Sequence, residues 1–100
     1  MLIKGIKKDQ KLINDNVLMS YYVYMLKSIE EKPTTYVGYT KNLKERIRLH
    51  NLGKGAKFTR GRKWRVIYKE KFTSKNKAIS REYYIKKNRQ LRNIIKNKSK

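Results

Sequence analysis

Two tyrosine-bearing apolar runs, Tyr22-Val23-Tyr24-Met25-Leu26 and Tyr36-Val37-Gly38-Tyr39, flank a polar connector that contains Pro33. Both runs have the β-branched and aromatic character of strands. The connector has turn chemistry but more than the two residues of a tight hairpin. The pattern therefore predicts an antiparallel hairpin whose loop spans Ser28 to Thr34. Strand side chains alternate between faces. Tyr22, Tyr24 and Leu26 are thus expected on one face, with Val23 and Met25 on the other. Pairing should bring the Tyr24 and Tyr36 phenols close together.

Beyond the hairpin the period changes. Thr40 or Asn42 can cap a short helix ending at Asn51, with Glu45 at capping-box spacing from Asn42 and Gly53 suited to a left-handed stop. At about 100° per residue, Leu43, Arg46, Ile47, Leu49 and His50 fall in one arc, with Arg46 and His50 one turn apart. A third strand is expected from Trp64 to Phe72, with Val66, Tyr68 and Phe72 alternating against Arg65 and Lys69. Thr73 or Ser74 then caps a second helix, from Lys75 to Arg89 or beyond. Its packing arc holds Ala78, Ile79, Glu82, Tyr83 and Ile85. Leu91, Ile94 and Ile95 can extend that helix toward a basic tip. Residues 1–19 show no clean period and read as a basic, poorly ordered extension. The domain itself is assigned to residues 20–90, and residues 91–100 to a basic tail or helix extension.

Charge narrows the function classes. Twenty-eight Lys and Arg against seven Asp and Glu give a formal +21, on a chain of 100 residues with an apolar fraction of 38%. Such a chain repels itself unless a polyanion offsets it, so nucleic acid is the first candidate partner. No apolar run approaches the roughly 20 residues that span a bilayer, and no membrane partner or secretory signal is expected. An intracellular location follows as the expectation, cytoplasm with nucleoid or nucleus, an organelle being left open by the basic N-terminus. Without cysteine there is neither a disulfide framework nor a thiolate metal site.

The segment from Gly53 to Lys63 is a basic loop. Its three glycines allow close backbone approach, and Lys54, Lys57, Arg60, Arg62 and Lys63, with the ring of Phe58, are candidate nucleic-acid contacts. Such cations grip phosphates without reading sequence. Trp64 is equally suited to base stacking and to the core. In the second helix, Glu82 sits mid-face, where a carboxylate is costly unless paired.

In this order and spacing the residues resemble the GIY-YIG nuclease superfamily. Tyr22-Val23-Tyr24 and Tyr36-Val37-Gly38 are similar to its paired tyrosine motif, with Tyr in place of the first Gly. The helix carrying Arg46 and His50, the loop from Gly53 to Arg62, and Ala78, Arg81, Glu82, Ile85, Lys86 and Lys87 resemble the small UPF0213-type subgroup, related to structure-specific nucleases. The resemblance covers Tyr21 to Asn88. It implies an α/β (α+β) fold, a three-stranded antiparallel sheet flanked by helices. It also implies divalent-metal-dependent hydrolysis of DNA phosphodiesters, with Mg²⁺ or Mn²⁺ as cofactor and a role in DNA repair or recombination. Tyr24, Tyr36, Arg46, His50 and Glu82 are the implied catalytic set, with Glu82 the metal ligand. A further family Asn has two counterparts here, Asn88 and Asn93. The zinc module of the eukaryotic structure-specific relatives is lacking.

The side chains suit that chemistry. One carboxylate with several waters fits a hard divalent cation, and the Arg46 fork fits a phosphate. A phenol with pKa near 10 needs positive charge nearby to act as a base. Residue type alone leaves open which of Tyr24, Tyr36 and His50 takes the proton. A non-catalytic nucleic-acid-binding module with the same fold is the alternative.

Overall fold

The computed structural model describes residues 20–99, and the extension expected over residues 1–19 lies outside them. The chain runs β1 (Tyr21–Ser28), β2 (Thr35–Thr40), α1 (Leu43–Asn51), β3 (Trp64–Phe72), α2 (Lys75–Lys87) and α3 (Arg89–Lys98). The strands form one antiparallel sheet in the order β2-β1-β3. This is the expected α+β architecture. Ser28 belongs to β1, opposite Trp64, so the hairpin connector is residues 29–34. The Ser28 N–H donates to the Thr34 carbonyl and the Thr34 N–H to Ser28 Oγ, both at 2.9 Å, closing the connector at its neck.

Alternation along β1 divides the core in two. Val23 and Met25 face one side, packing with Val37, Ala78 and Ile85, and with Leu91 and Ile95 at their margin. These contacts seat α2 and α3. Tyr24 and Leu26 face the other side with Trp64, against Tyr36, Leu43, Ile47 and Val66, and so seat α1. The expected face assignments along β1 hold. Those along β3 do not. Met25 pairs with Tyr68 and Leu26 with Val66, so Ile67 is an extra residue in the ladder. A bulge of this kind breaks the period of two. Val66 accordingly joins the Tyr24 side, while Ile67, Tyr68 and Phe72 join the Val23 side.

The second helix also departs from the expectation. Ser74 caps it, its Oγ accepting from the Lys77 N–H at 3.3 Å. Its inward stripe is narrow. Ala78 and Ile85 are buried, whereas Ile79 and Tyr83, expected in the arc, are exposed. The helix then ends instead of continuing into the tip. Asn88 leaves helical geometry (φ −108°, ψ 88°), and its side-chain oxygen accepts from the Leu91 N–H at 2.9 Å, starting α3 afresh. Arg92 reaches back to the Ile85 carbonyl at 3.1 Å, and to that of Lys86, supplying donors to the end of α2.

Candidate active site

Helix α1 sets two of the site's side chains. Asn42 Oδ1 accepts from the Glu45 N–H at 3.1 Å and fixes where the helix begins. The reciprocal half of a capping box is not made, because the Glu45 carboxylate holds Arg48 instead. Leu43 and Ile47 anchor the helix on the Tyr24 side of the sheet. Arg46 and His50, one turn apart, thereby turn toward the tyrosines.

The phenols converge as the hairpin predicts, though diagonally. Tyr24 lies opposite Gly38 and Tyr36 opposite Leu26, with ring centroids 6.5 Å apart. A Cβ at position 38 would come within 2.6 Å of Tyr24 Oη and 3.1 Å of Tyr36 Cε2. The glycine is therefore a space requirement: the Tyr24 ring occupies the volume a side chain would take. The His50 imidazole completes the group, its centroid 5.9 Å from that of Tyr24 and 5.0 Å from that of Tyr36.

Tyr24, His50 and Thr59 are each fully buried. His50 Nε2 lies 2.8 Å from Tyr24 Oη and Nδ1 lies 2.8 Å from Thr59 Oγ1. The Thr59 hydroxyl donates in turn to the Ala56 carbonyl at 3.0 Å. Burial pushes the Tyr24 phenol up to about 12, against a hydrogen bond from Arg46 that favours the phenolate. Burial, with the Arg46 charge added, brings His50 down to about 4, so the imidazole is neutral at physiological pH. Hydrogen bonding to Tyr24 raises the Arg46 pKa. Arg46 Nε is buried and finds no acceptor among the described residues.

Glu82 arrives from elsewhere. Helix α2 packs on the Val23 side of the sheet, opposite the tyrosines. The Glu82 carboxylate is nonetheless near enough for its charge to raise the Tyr24 pKa, and it pairs with Lys86 at 3.3 Å. No cluster of three or more His, Cys, Asp or Glu side chains suited to a metal occurs among the described residues. Among the described residues, Glu82 is the carboxylate whose charge bears on Tyr24.

The basic loop divides by role. Lys54, Lys57 and Arg60 are exposed. Arg62 is ion-paired to Glu30 at 2.9 Å, and Lys63 Nζ donates to the Asn51 carbonyl at 3.3 Å. Phe58 is half exposed and stacks on Tyr36, centroids 6.1 Å apart and planes at 21°. Trp64 is core: it is buried, and its indole N–H donates to the Thr59 carbonyl at 2.9 Å. Asn88 is engaged as a helix cap, and Asn93 is exposed on α3.

Three residues in the site carry no signal in the hydrophobic pattern. Thr59 anchors His50. Gly55 makes room for it, since a Cβ there would sit 2.7 Å from His50 Cγ. Asn51 closes the loop, its Oδ1 accepting from the Trp64 N–H at 2.6 Å and its Nδ2 donating to the Trp64 carbonyl at 3.3 Å.

A sheet with α1 on one face, α2 on the other, and paired tyrosines beside an Arg and a His defines a class of domain that comparison identifies. Residues 20–96 match the family model of the GIY-YIG catalytic domain, and the chain belongs to that nuclease family. Within it, a UPF0213 protein of Clostridium perfringens is 54% identical over 67 residues, 66% of this chain and 70% of the relative. A UPF0213 protein of Oceanobacillus iheyensis is 46% identical over 67 residues, 66% of this chain and 76% of that one. The solution NMR structure of a UPF0213 protein from Bacillus halodurans is 36% identical, covers 81% of this chain and 86% of that chain, and has a TM-score of 0.49. The names of these relatives state no activity. Among the described residues, no helix is long and apolar enough to cross a membrane.

Proposed function

We propose that this chain is a divalent-metal-dependent DNA endonuclease, selecting substrates by DNA structure and serving repair or recombination inside the cell. The observation that carries the reading is Arg46. Its Nε–H is buried beside Tyr24 with no acceptor among the described residues. A buried, unsatisfied guanidinium donor is costly, and a phosphate oxygen satisfies it with a charge-assisted bond.

In this reading Arg46 clamps the scissile phosphate. Tyr24 takes a proton from the attacking water while passing its own to neutral His50, 2.8 Å away. Burial alone holds the phenol too weakly acidic to ionise, so the neighbouring imidazole and guanidinium make the transfer possible. Tyr36, stacked beneath Phe58, orients the adjoining nucleotide. The donor set fits Mg²⁺ or Mn²⁺, because one carboxylate oxygen plus waters is a common way to hold such ions. Glu82 would hold the cation, which supplies charge neutralisation at the phosphate and the leaving oxygen. Lys54, Lys57, Arg60, Arg62 and Lys63 contribute non-specific grip on the DNA backbone, Arg62 after exchanging its Glu30 partner for phosphate.

One observation favours a second reading, a DNA-binding module without turnover: the candidate metal ligand Glu82 is already ion-paired with Lys86. Incubation with branched and linear DNA in Mg²⁺ or Mn²⁺ separates the two. The nuclease reading expects cleavage that is lost in Glu82→Ala and greater on the branched substrate. Salt-sensitive binding with no cleavage in either metal supports the binding module instead.

A further inference from the structure

The proton transfer proposed above works only if His50 presents a bare nitrogen to Tyr24, and the hydrogen bonds around the ring bear on which nitrogen that is. A neutral imidazole carries one N–H, on Nδ1 or on Nε2. At the Nδ1 end stands Thr59, whose hydroxyl has a single proton. The Ala56 carbonyl, 3.0 Å away, can only accept, and it takes that proton. Thr59 Oγ1 is then left as an acceptor toward Nδ1, 2.8 Å off. At the Nε2 end stands Tyr24, whose one phenolic proton lies within reach of His50 Nε2, 2.8 Å away. The Thr59 end selects the state with Nδ1 protonated and Nε2 bare, and the Tyr24 hydroxyl fits it as donor. The opposite tautomer would set a bare Nδ1 against a Thr59 oxygen that has no proton left to give it.

We infer that Thr59 is a positioning residue, which fixes His50 as the Nδ1–H tautomer and so leaves Nε2 ready to receive the Tyr24 proton. The inference rests on the nuclease reading for its catalytic consequence, not for the tautomer itself. A third group that orients a base is a recurrent device in proton-transfer sites. Thr59 meets the requirements of one. It is fully buried, so water does not compete for Nδ1. Its own position is held from two sides: its backbone N–H also donates to the Ala56 carbonyl at 3.2 Å, and its carbonyl accepts from the buried Trp64 indole. Gly55 lets the loop pass against the imidazole with no side chain between. The loop from Gly53 to Lys63 therefore has two jobs, an outer face of cations and an inner face that sets a proton.

His50 is the chain's one histidine, which makes the test direct. In the full-length, ¹⁵N-labelled protein without DNA, long-range ¹H–¹⁵N correlations report which ring nitrogen is protonated at pH 7. The wild type should give Nδ1–H with bare Nε2. Thr59→Val, close in shape but without the acceptor, should shift the ring toward Nε2–H and lower cleavage of branched DNA at least tenfold. Thr59→Ser should keep both properties. An Nε2–H signal in the wild type overturns the inference whether or not the valine variant folds, and so does an unshifted tautomer in folded Thr59→Val. Because the tautomer is read without substrate, a wild type that cleaves no DNA removes the nuclease reading and leaves the tautomer result standing.

Discussion

The two faces of the sheet are made from alternate residues of the same strand and do opposite things. On one, Val23 and Met25 meet Ala78 and Ile85 in an apolar contact that needs no hydrogen bond. On the other, Tyr24 carries a hydroxyl into a fully buried position where every neighbour must be chosen to satisfy it. The first face is tolerant, since apolar packing asks only for volume and shape. The second is specified atom by atom through His50, Thr59 and Ala56. A small domain thus keeps its apolar packing and its buried polar network on separate sides of one β-strand.

That division can be broken by experiment. The largest effect is expected at Tyr24→Phe, which should lower cleavage by about 10²–10⁴-fold as a proton-transfer group is lost. Its stability should fall by about 1–3 kcal/mol, because His50 Nε2 is left unpaired. Full activity in a folded Tyr24→Phe protein would remove the chemistry from that face. Ile85→Ala should do the converse, costing about 2–5 kcal/mol in urea denaturation while each folded molecule cleaves normally. A large drop in its activity per folded molecule would mean the faces are coupled.

A third test uses pH. The folded-state pKa of His50 is depressed to about 4, below the ordinary 6.5. The neutral-imidazole contribution is then present above pH 6.5 and lost as pH falls toward 4, on the order of 3 kcal/mol. His50→Gln should flatten that limb, and an equally steep limb in this variant would place the titrating group elsewhere. The Tyr24 phenol, raised to about 12, works the other way, and stability should decline as pH rises from 10 toward 12. The smallest effect belongs to the outer loop. Lys57→Gln and Arg60→Gln should each reduce the salt dependence of DNA binding by about one unit of log–log slope, with little change in turnover. Unchanged slopes would take these cations out of the interface.

What the sequence disclosed follows the range of the interactions involved. The β1 faces, the α1 arc and the Arg46–His50 spacing are set by period and by neighbours a turn away, so they were readable. The three-stranded fold and the family were readable because the motifs recur in fixed order. The bulge at Ile67 was not, since one inserted residue flips every later side chain without altering composition. Nor was the break at Asn88, where a cap formed with Leu91 overrides a pattern that continues to look helical. Thr59 and Gly55 were hidden for a third reason. They serve His50 through space from inside a loop, where no periodicity marks a residue's direction.

Asn51 has a consequence for how such a domain can diversify. By giving both polar atoms of its amide to the Trp64 backbone, it cinches the loop at the base, much as a drawstring closes a bag. In the proposed nuclease reading, exchanges at the exposed Arg60 and Lys63 would alter the grip on DNA while that knot holds the Trp64 backbone in place. Under that reading, changes of grip accumulate outside the knot while Tyr24, His50 and Thr59 keep their buried contacts.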